Sequence, residues 1–332
     1  MGLRTIVFYF LAFACTSSVV AQKEIDSIVY DQETKYIHKF PNRITARLFY
    51  VNTSNVITVN DRNSDVSFKL NPNKQDRIGA SVSFRALTIS YSFSPNFLSE
   101  NKDNGDSKLF NLNLRTYFGK HWMQTLDIYS EKGFFLEDNN INIPFPHLKS
   151  FKIGGATSYI LNNNFSFRSI VSQDEKQIKS TGSFIPRVVY YYTKLNLKTD
   201  TNNDVLNAFD LVFAPSYYYN FVPSKNLFIS AGVSSGIGIN HTKNKDNNQI
   251  EEDENLTSLV TELNVSVSLT YDLSNFYIGA HYNYLVLNHN SDRSAYINDE
   301  IPFFQIFAGY RFKASKRLIR KANKLNEKLN LN

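Results

Sequence analysis

The chain has 332 residues, 42% hydrophobic and 20% charged, with 27 Phe and 20 Tyr beside 2 Met and 1 Trp. That balance excludes a disordered chain and a bundle of apolar membrane helices, and aromatic wealth with modest hydropathy suits β-structure. The formal net charge of +6 gathers in the last twenty residues, where seven basic side chains stand against Glu327, so the body is near neutral and gives no sign of a nucleic-acid-binding surface.

At the start, Arg4 and the short apolar run Ile6–Ala14 have the form of a secretory signal, too short to cross a bilayer as a helix. Val19-Val20-Ala21 offers a cleavage site after Ala21. Ala12-Phe13-Ala14-Cys15 is a rival lipoprotein box that would lipidate Cys15, but Phe13 and the short run before it fit that box poorly. With the signal gone the mature chain has no cysteine and no thiol chemistry. Residues 22–42 are expected to be a periplasmic lead.

From about residue 43 to 312, segments of roughly ten residues alternate apolar and polar side chains, the period of a strand with two unlike faces. In Ser258–Thr270, Leu259, Leu263, Val265, Val267 and Leu269 share one face, and Glu262, Asn264, Ser266 and Ser268 the other, with Val260 the apolar exception. Asp76–Phe84, Lys108–Phe118, Phe276–Val286 and the last strand, ending at Phe312, repeat the pattern, and no apolar face among them carries a charge. A soluble sandwich also alternates. The polar faces here carry Arg and Glu among Ser, Gly and Asn, as a wet lumen would. Aromatics crowd segment ends at Tyr190-Tyr191-Tyr192 and Tyr217-Tyr218-Tyr219. Short turns, at 85–86, 119–120, 162–164, 223–225 and 272–274, alternate with long polar loops at 94–107, 137–149, 195–206, 240–257 and 288–301. These are the marks of an outer-membrane barrel. The expected fold is all-β: an antiparallel up-and-down transmembrane barrel of about twelve strands, with residues 165–194 read as irregular wall and both termini periplasmic. Residues 313–332 predict a short basic amphipathic helix, with Leu318, Ala322, Leu325 and Leu329 on its apolar side.

Four stretches then resemble a bacterial outer-membrane β-barrel family known only as a domain of unknown function. The longest is the polar run Ser172–Phe184, ending in Ser180-Thr181-Gly182-Ser183. Leu70-Asn71-Pro72-Asn73 resembles an aromatic-x-Pro-Asn turn, with Leu70 in the aromatic place. Lys132-Gly133-Phe134-Phe135 and Gly309-Tyr310-Arg311-Phe312 are the others. The resemblance implies the barrel and brings no activity with it.

The run Gln173–Ser183 is the foremost site candidate. Its charges and amides cannot face lipid, where each unpaired polar group costs several kcal/mol, so it must line the lumen or fold into it. Glu175 is expected to pair with Lys179, with Gln177 and Ser183 adding hydrogen bonds. The run then forms either a constriction or, the favoured reading, a structural plug that satisfies itself. Arg43, Arg47, Arg77, Arg85, Arg115 and Arg311, with Asp127, Glu131, Asp210 and Glu262, are expected to form a charge ladder in the lumen. His281 beside Asn264 or Ser266, with Glu262 near, raises a barrel hydrolase using His281 and Ser266, without any visible nucleophile elbow. The acidic run Glu251-Glu252-Asp253-Glu254 lacks the spaced ligands of a calcium loop. No cofactor, metal or nucleic-acid motif is present. The expected function is a non-enzymatic channel or a small-solute or lipid-binding barrel in the outer membrane of a Gram-negative bacterium. The alternatives are a structural or surface-interaction barrel with a closed lumen, and an outer-membrane lipid hydrolase. Expected partners are outer-membrane lipids, a small solute, and the barrel-assembly machinery acting on the C-terminal strand.

Overall fold

The wall is easiest to follow along its most regular strand. In residues 259–273 every odd position is exposed and every even one from Val260 to Asp272 is buried. The exposed positions include Leu259, Leu263, Val265, Val267, Leu269, Tyr271 and Leu273, each 43–52% exposed. An apolar row of that length matches the hydrocarbon depth that a tilted strand crosses.

The computed structural model describes residues 32–53, 56–61, 66–99, 107–119, 121–138, 141–198, 203–246, 254–290 and 295–329. The expected signal with Cys15, and the acidic run at 251–253, lie outside the described residues. In chain order the elements are β1 (Gln32–Glu33), β2 (Ile37–Lys39), β3 (Arg43–Thr53), β4 (Val56–Asp61), β5 (Val66–Pro72), β6 (Asp76–Phe84), β7 (Leu87–Phe93) and β8 (Lys108–Phe118). Then come β9 (Trp122–Asp138), β10 (Ile141–Tyr159), α1 (Arg168–Val171), β11 (Glu175–Gln177), β12 (Thr181–Ile185), β13 (Arg187–Lys198), β14 (Asn203–Phe213) and β15 (Ser216–Phe221). β16 (Leu227–Asp246), β17 (Glu254–Leu273), β18 (Phe276–Asn290), β19 (Ala295–Lys313) and α2 (Lys316–Leu329) complete the chain.

Two wall strands are broken by proline. Pro186 separates β12 from β13, and Ala214-Pro215 separates β14 from β15, where a missing N–H interrupts the ladder. Counting each pair as one, the order β3-β6-β7-β8-β9-β10-β13-β14-β16-β17-β18-β19 returns to β3 as a ring of twelve antiparallel strands. The seam pairs Arg43 with Lys313 through to Thr53 with Phe303. Closure removes the open sheet edges that a bilayer cannot tolerate. The outside is apolar, and exposed aromatics including Phe118, Trp122, Phe221, Tyr271, Phe276 and Phe312 ring the end with the tight turns. The fold is a transmembrane β-barrel.

The strands run further than the sequence suggests. The expected loops at 137–149, 195–206, 240–257 and 288–301 are largely strand, with β9 and β10 paired out to Asp138 and Ile141 and β16 and β17 out to Asn244 and Glu254. Polar side chains end the lipid-facing belt without ending the ladder. The β7–β8 hairpin stays short. Beyond it β4 pairs with β19, and β5 pairs with β9 from Lys69–Glu137 to Pro72–Phe134. β9 changes partner at Gly133, whose φ of +89° a side chain would strain, and a Cβ there would lie 2.2 Å from Ser107 Oγ. Asn73 N donates to Gly133 O (3.0 Å) and Asn73 Nδ2 to Ser107 Oγ (2.7 Å), while Phe134 and Phe135 are buried. Two of the resembling stretches, Leu70–Asn73 and Lys132–Phe135, thus form one joint.

The largest departure lies at 162–180. The turn expected at Asn162–Asn164 forms, with Phe165 N donating to Asn162 O (3.0 Å), but it leads into no neighbouring wall strand: the following residues leave the wall and enter the ring at the turn end. There β11 joins β2 and β1 in a separate three-stranded sheet, so part of the expected periplasmic lead belongs to this insert. Helix α2 forms as expected. Among its described side chains Ile319 is buried, Ala322 half-buried and Leu318 exposed, with Arg85 Nη2 donating to Asn323 Oδ1 (2.6 Å) and Ala314 N to Asn42 O (2.9 Å).

Candidate functional site

The insert closes the turn end of the ring. Its apolar side, Phe165 and Ile170, packs on Ile160, Ile185, Tyr218 and Phe228 of the wall. Fully burying side chains of this size contributes about 1.5–3 kcal/mol each. Its polar side is held by bolts from the wall. Arg311, with a fully buried side chain, donates from Nε to Gln173 O (2.8 Å), from Nη1 to Asp272 Oδ1 (3.1 Å) and Ser274 O (2.6 Å), and from Nη2 to Asp272 Oδ2 (2.7 Å). Its guanidinium lies over the rings of Phe40 (4.4 Å) and Tyr277 (4.7 Å). Arg47 Nη1 donates to Val171 O (2.8 Å) and Gln173 Oε1 (3.1 Å). Lys176 lies 3.5 Å from Asp272, and Arg168 pairs with Asp174 and donates to Arg85 O.

Gln177 has every polar atom answered. Nε2 donates to Tyr36 O, Asn164 O and Lys179 O, while Oε1 accepts from Ser166 N (2.8 Å) and Asn220 Nδ2 (3.1 Å). Glu175 accepts from Ser166 Oγ (2.7 Å) and lies 3.6 Å from Lys39. The expected Glu175–Lys179 pair does not form. That spacing suits a helix, the segment is extended, and Lys179 is exposed. Ser183 sits on wall strand β12, accepting from Asn162 N (3.1 Å) and donating to Phe184 O (2.9 Å). None of Glu175, Gln177, Lys179 and Ser183 lines the main cavity.

That cavity, of about 350 Å³, lies in the lumen above Ile170 and Val171. Its wall has two unlike halves. Arg47, Arg77, Arg115 and Lys152 come from β3, β6, β8 and β10, on one side of the ring with β7 and β9 interleaved between them. Val189, Val212, Leu285, Leu287 and Phe303 come from β13, β14, β18 and β19 on the other. Room for rings is made by glycine: a Cβ on Gly79 would lie 2.5 Å from both Phe49 Cζ and Tyr91 O.

Most acids of the expected ladder are already answered. Glu262 pairs with Arg187 and accepts from Ser234 Oγ (2.9 Å). Asp210 accepts from Asn240 Nδ2 (2.6 Å) and meets His289 Nε2 (3.3 Å). Asp127 accepts from Asn113 and from Tyr191 OH (2.7 Å). Tyr191 and Tyr218 therefore point inward, not to the lipid girdle. Arg85 serves the turn end and Arg311 the insert. The cations are less well served: among the described residues, Arg77 Nε and Arg115 Nε are buried with no hydrogen-bond partner.

The His281–Ser266–Glu262 constellation is not assembled. The tight turn at Ser274-Asn275 sets His281 opposite Ser268 and Gln305, and Ser266 opposite Asn283. His281 meets Phe303 edge-on at 5.8 Å, its Nδ1 has no partner, and Glu262 is engaged by Arg187. Among the described residues no cluster of His, Cys, Asp and Glu could hold a metal ion.

A family described as "Domain of unknown function (DUF4421)" matches residues 25–312. A search of the curated proteins gives no match. Among solved structures, the outer membrane protease OmpT from Escherichia coli is similar at 7% identity and TM-score 0.35, over 85% of this chain and 99% of that one. An outer membrane channel from Pseudomonas putida F1 is similar at 10% identity and TM-score 0.35, over 87% and 100%. The attachment invasion locus protein Ail of Yersinia pestis follows at 13% identity and TM-score 0.22, over 82% and 99%. Scores at that level assign no fold, and the barrel stands on its own closed strand pairing.

Proposed function

The chain belongs to the family described as Domain of unknown function (DUF4421), and from that premise we propose that it is an outer-membrane barrel closed from below, whose lumen is a binding pocket and not an open pore. The observation that carries this reading is the insert at 162–180, bolted to the wall by Arg311, Arg47 and Lys176. A passive channel needs a continuous wet path, whereas here buried ion pairs and the apolar cluster around Ile170 occupy the turn end.

The unbroken apolar belt, with its aromatic rim, supports the outer membrane as the site of the barrel and outer-membrane lipids as its surroundings. In that setting the signal is cleaved after Ala21, the turn end faces the periplasm, the elongated hairpins face outward, and β19 is the strand offered to the assembly machinery. The small solute enters from the side of the long hairpins.

Conductance in a planar bilayer tests the proposal. The refolded wild type is expected to insert, shift on a gel when boiled, and give no steps. Replacing residues 165–178 by a short Gly-Ser linker is expected to give stable steps. A wild type that conducts steadily, or a folded plugless barrel that stays silent, overturns it.

A further inference from the structure

We infer that the lumen pocket takes a small amphipathic anion, a carboxylate head on an apolar body; this rests on the closed-lumen reading above. The segregation of the wall carries the inference. One side presents Arg77, Arg115 and Lys152, and the facing side presents Val189, Val212, Leu285, Leu287 and Phe303. A neutral polar solute would leave the apolar side unmatched, and a bare hydrocarbon would leave the excess of buried cations over Glu131 unneutralised.

The charge balance points the same way. Of the acids lining the pocket, Glu262 is engaged by Arg187, and Asp210 by Asn240 and His289, leaving Glu131 against three cations. Among the described residues no carboxylate comes within the 4.0 Å of an ion pair to Arg77, Arg115 or Lys152. Arg77 is 4% exposed, and among the described residues its Nε, that of Arg115 and Asn111 Nδ2, all on the basic side, have no hydrogen-bond partner. Orphaned donors on one side of a cavity are the counterpart of an anionic head, because charge-assisted bonds to a carboxylate are the strongest they can make. Arg47, already committed to the floor through Val171 O and Gln173, fixes the depth at which the body stops. The volume, about 350 Å³, is that of a small-molecule site.

The test is calorimetric titration of the full-length mature barrel, folded in a neutral detergent, with phenylbutyrate, phenylbutanol and acetate. Phenylbutyrate is expected to bind one-to-one and to weaken as salt is added. The alcohol, lacking the charge, and acetate, lacking the body, are each expected to bind at least about tenfold more weakly. Arg77→Gln and Arg115→Gln are each expected to weaken the acid about tenfold and leave the alcohol unchanged. The boiling shift checks that each variant is folded, and Lys152→Gln stands in for one that is not. Equal binding of acid and alcohol, no binding of the acid, or folded variants that bind it like the wild type overturn the inference. Bilayer recording on the same preparation separates the two readings. A silent wild type indifferent to the acid loses the ligand class alone, whereas a conducting one loses the closed lumen.

Discussion

Arg311→Met removes the side chain on which wall and insert meet. Four hydrogen bonds from one fully buried guanidinium are lost, and Asp272 is left without its fork. Breaking a buried ion pair by deleting one partner costs about 3–5 kcal/mol. Asp272 keeps Lys176 at 3.5 Å and the Ser274 N–H at 2.8 Å, so the cost should fall at the lower end, about 3 kcal/mol, or roughly a hundredfold in the opening equilibrium of the insert. Methionine preserves bulk against Phe40 and Tyr277, and the seam on either side retains its ladder. The loss should therefore be local. Hydrogen exchange in lipid vesicles reads it directly: the amides of Lys176 and Ile178, which face β2, should lose about a hundredfold in protection, while those of β8 and β9 hold. Protection at Lys176 and Ile178 that stays within about threefold of wild type, or an equal loss throughout the barrel, would refute the assignment of Arg311 as the bolt.

Other perturbations address the wall. Gly79→Ala drives a methyl to 2.5 Å from Phe49 Cζ and Tyr91 O, and should lower the free energy of folding into vesicles, read by urea titration, by about 1–3 kcal/mol. Leu263→Arg, mid-belt and outward, should cost about 2–4 kcal/mol in the same assay, whereas Thr257→Arg, further along the same face, should cost at most about 1 kcal/mol. Equal costs at the two positions would place the lipid boundary wrongly. Arg187→Met should destabilise by about 3 kcal/mol by stranding Glu262, and adding Glu262→Leu should recover most of that, since a buried pair replaced by apolar groups is often neutral. A double variant no more stable than the single one would show that the pair does more than neutralise itself.

The wall was legible because lipid-facing residues mostly alternate with polar ones, as in Leu263 between Glu262 and Asn264. Period two carries face and register together. What lay beyond the belt was not legible: once both faces are polar, alternation vanishes although the ladder continues, so residues 240–246 and 254–257 read as loop. The insert was visible as a polar run that could not face lipid, but 165–194 read as one irregular wall segment because nothing local marks where the chain leaves the ring and returns at Thr181. Its fastenings were hidden for another reason. Arg311 meets Gln173 across 138 positions, and Arg47 meets it across 126, separations that no pattern within a strand encodes. Arg187 was missed because it follows Pro186, where the alternation restarts. His281 was misplaced by the two-residue shift that a tighter turn imposes.

The seam between β3 and β19 joins the first wall strand to the last, and both carry the fastenings of the insert: Phe40, just before β3, stacks beneath Arg311 of β19. Gln173 receives one arginine from each strand, Arg47 and Arg311. A sheet still unzipped there has no complete socket for the insert to enter. Closing the ring is therefore what completes the socket, which ties the stopper's stability to that of the seam.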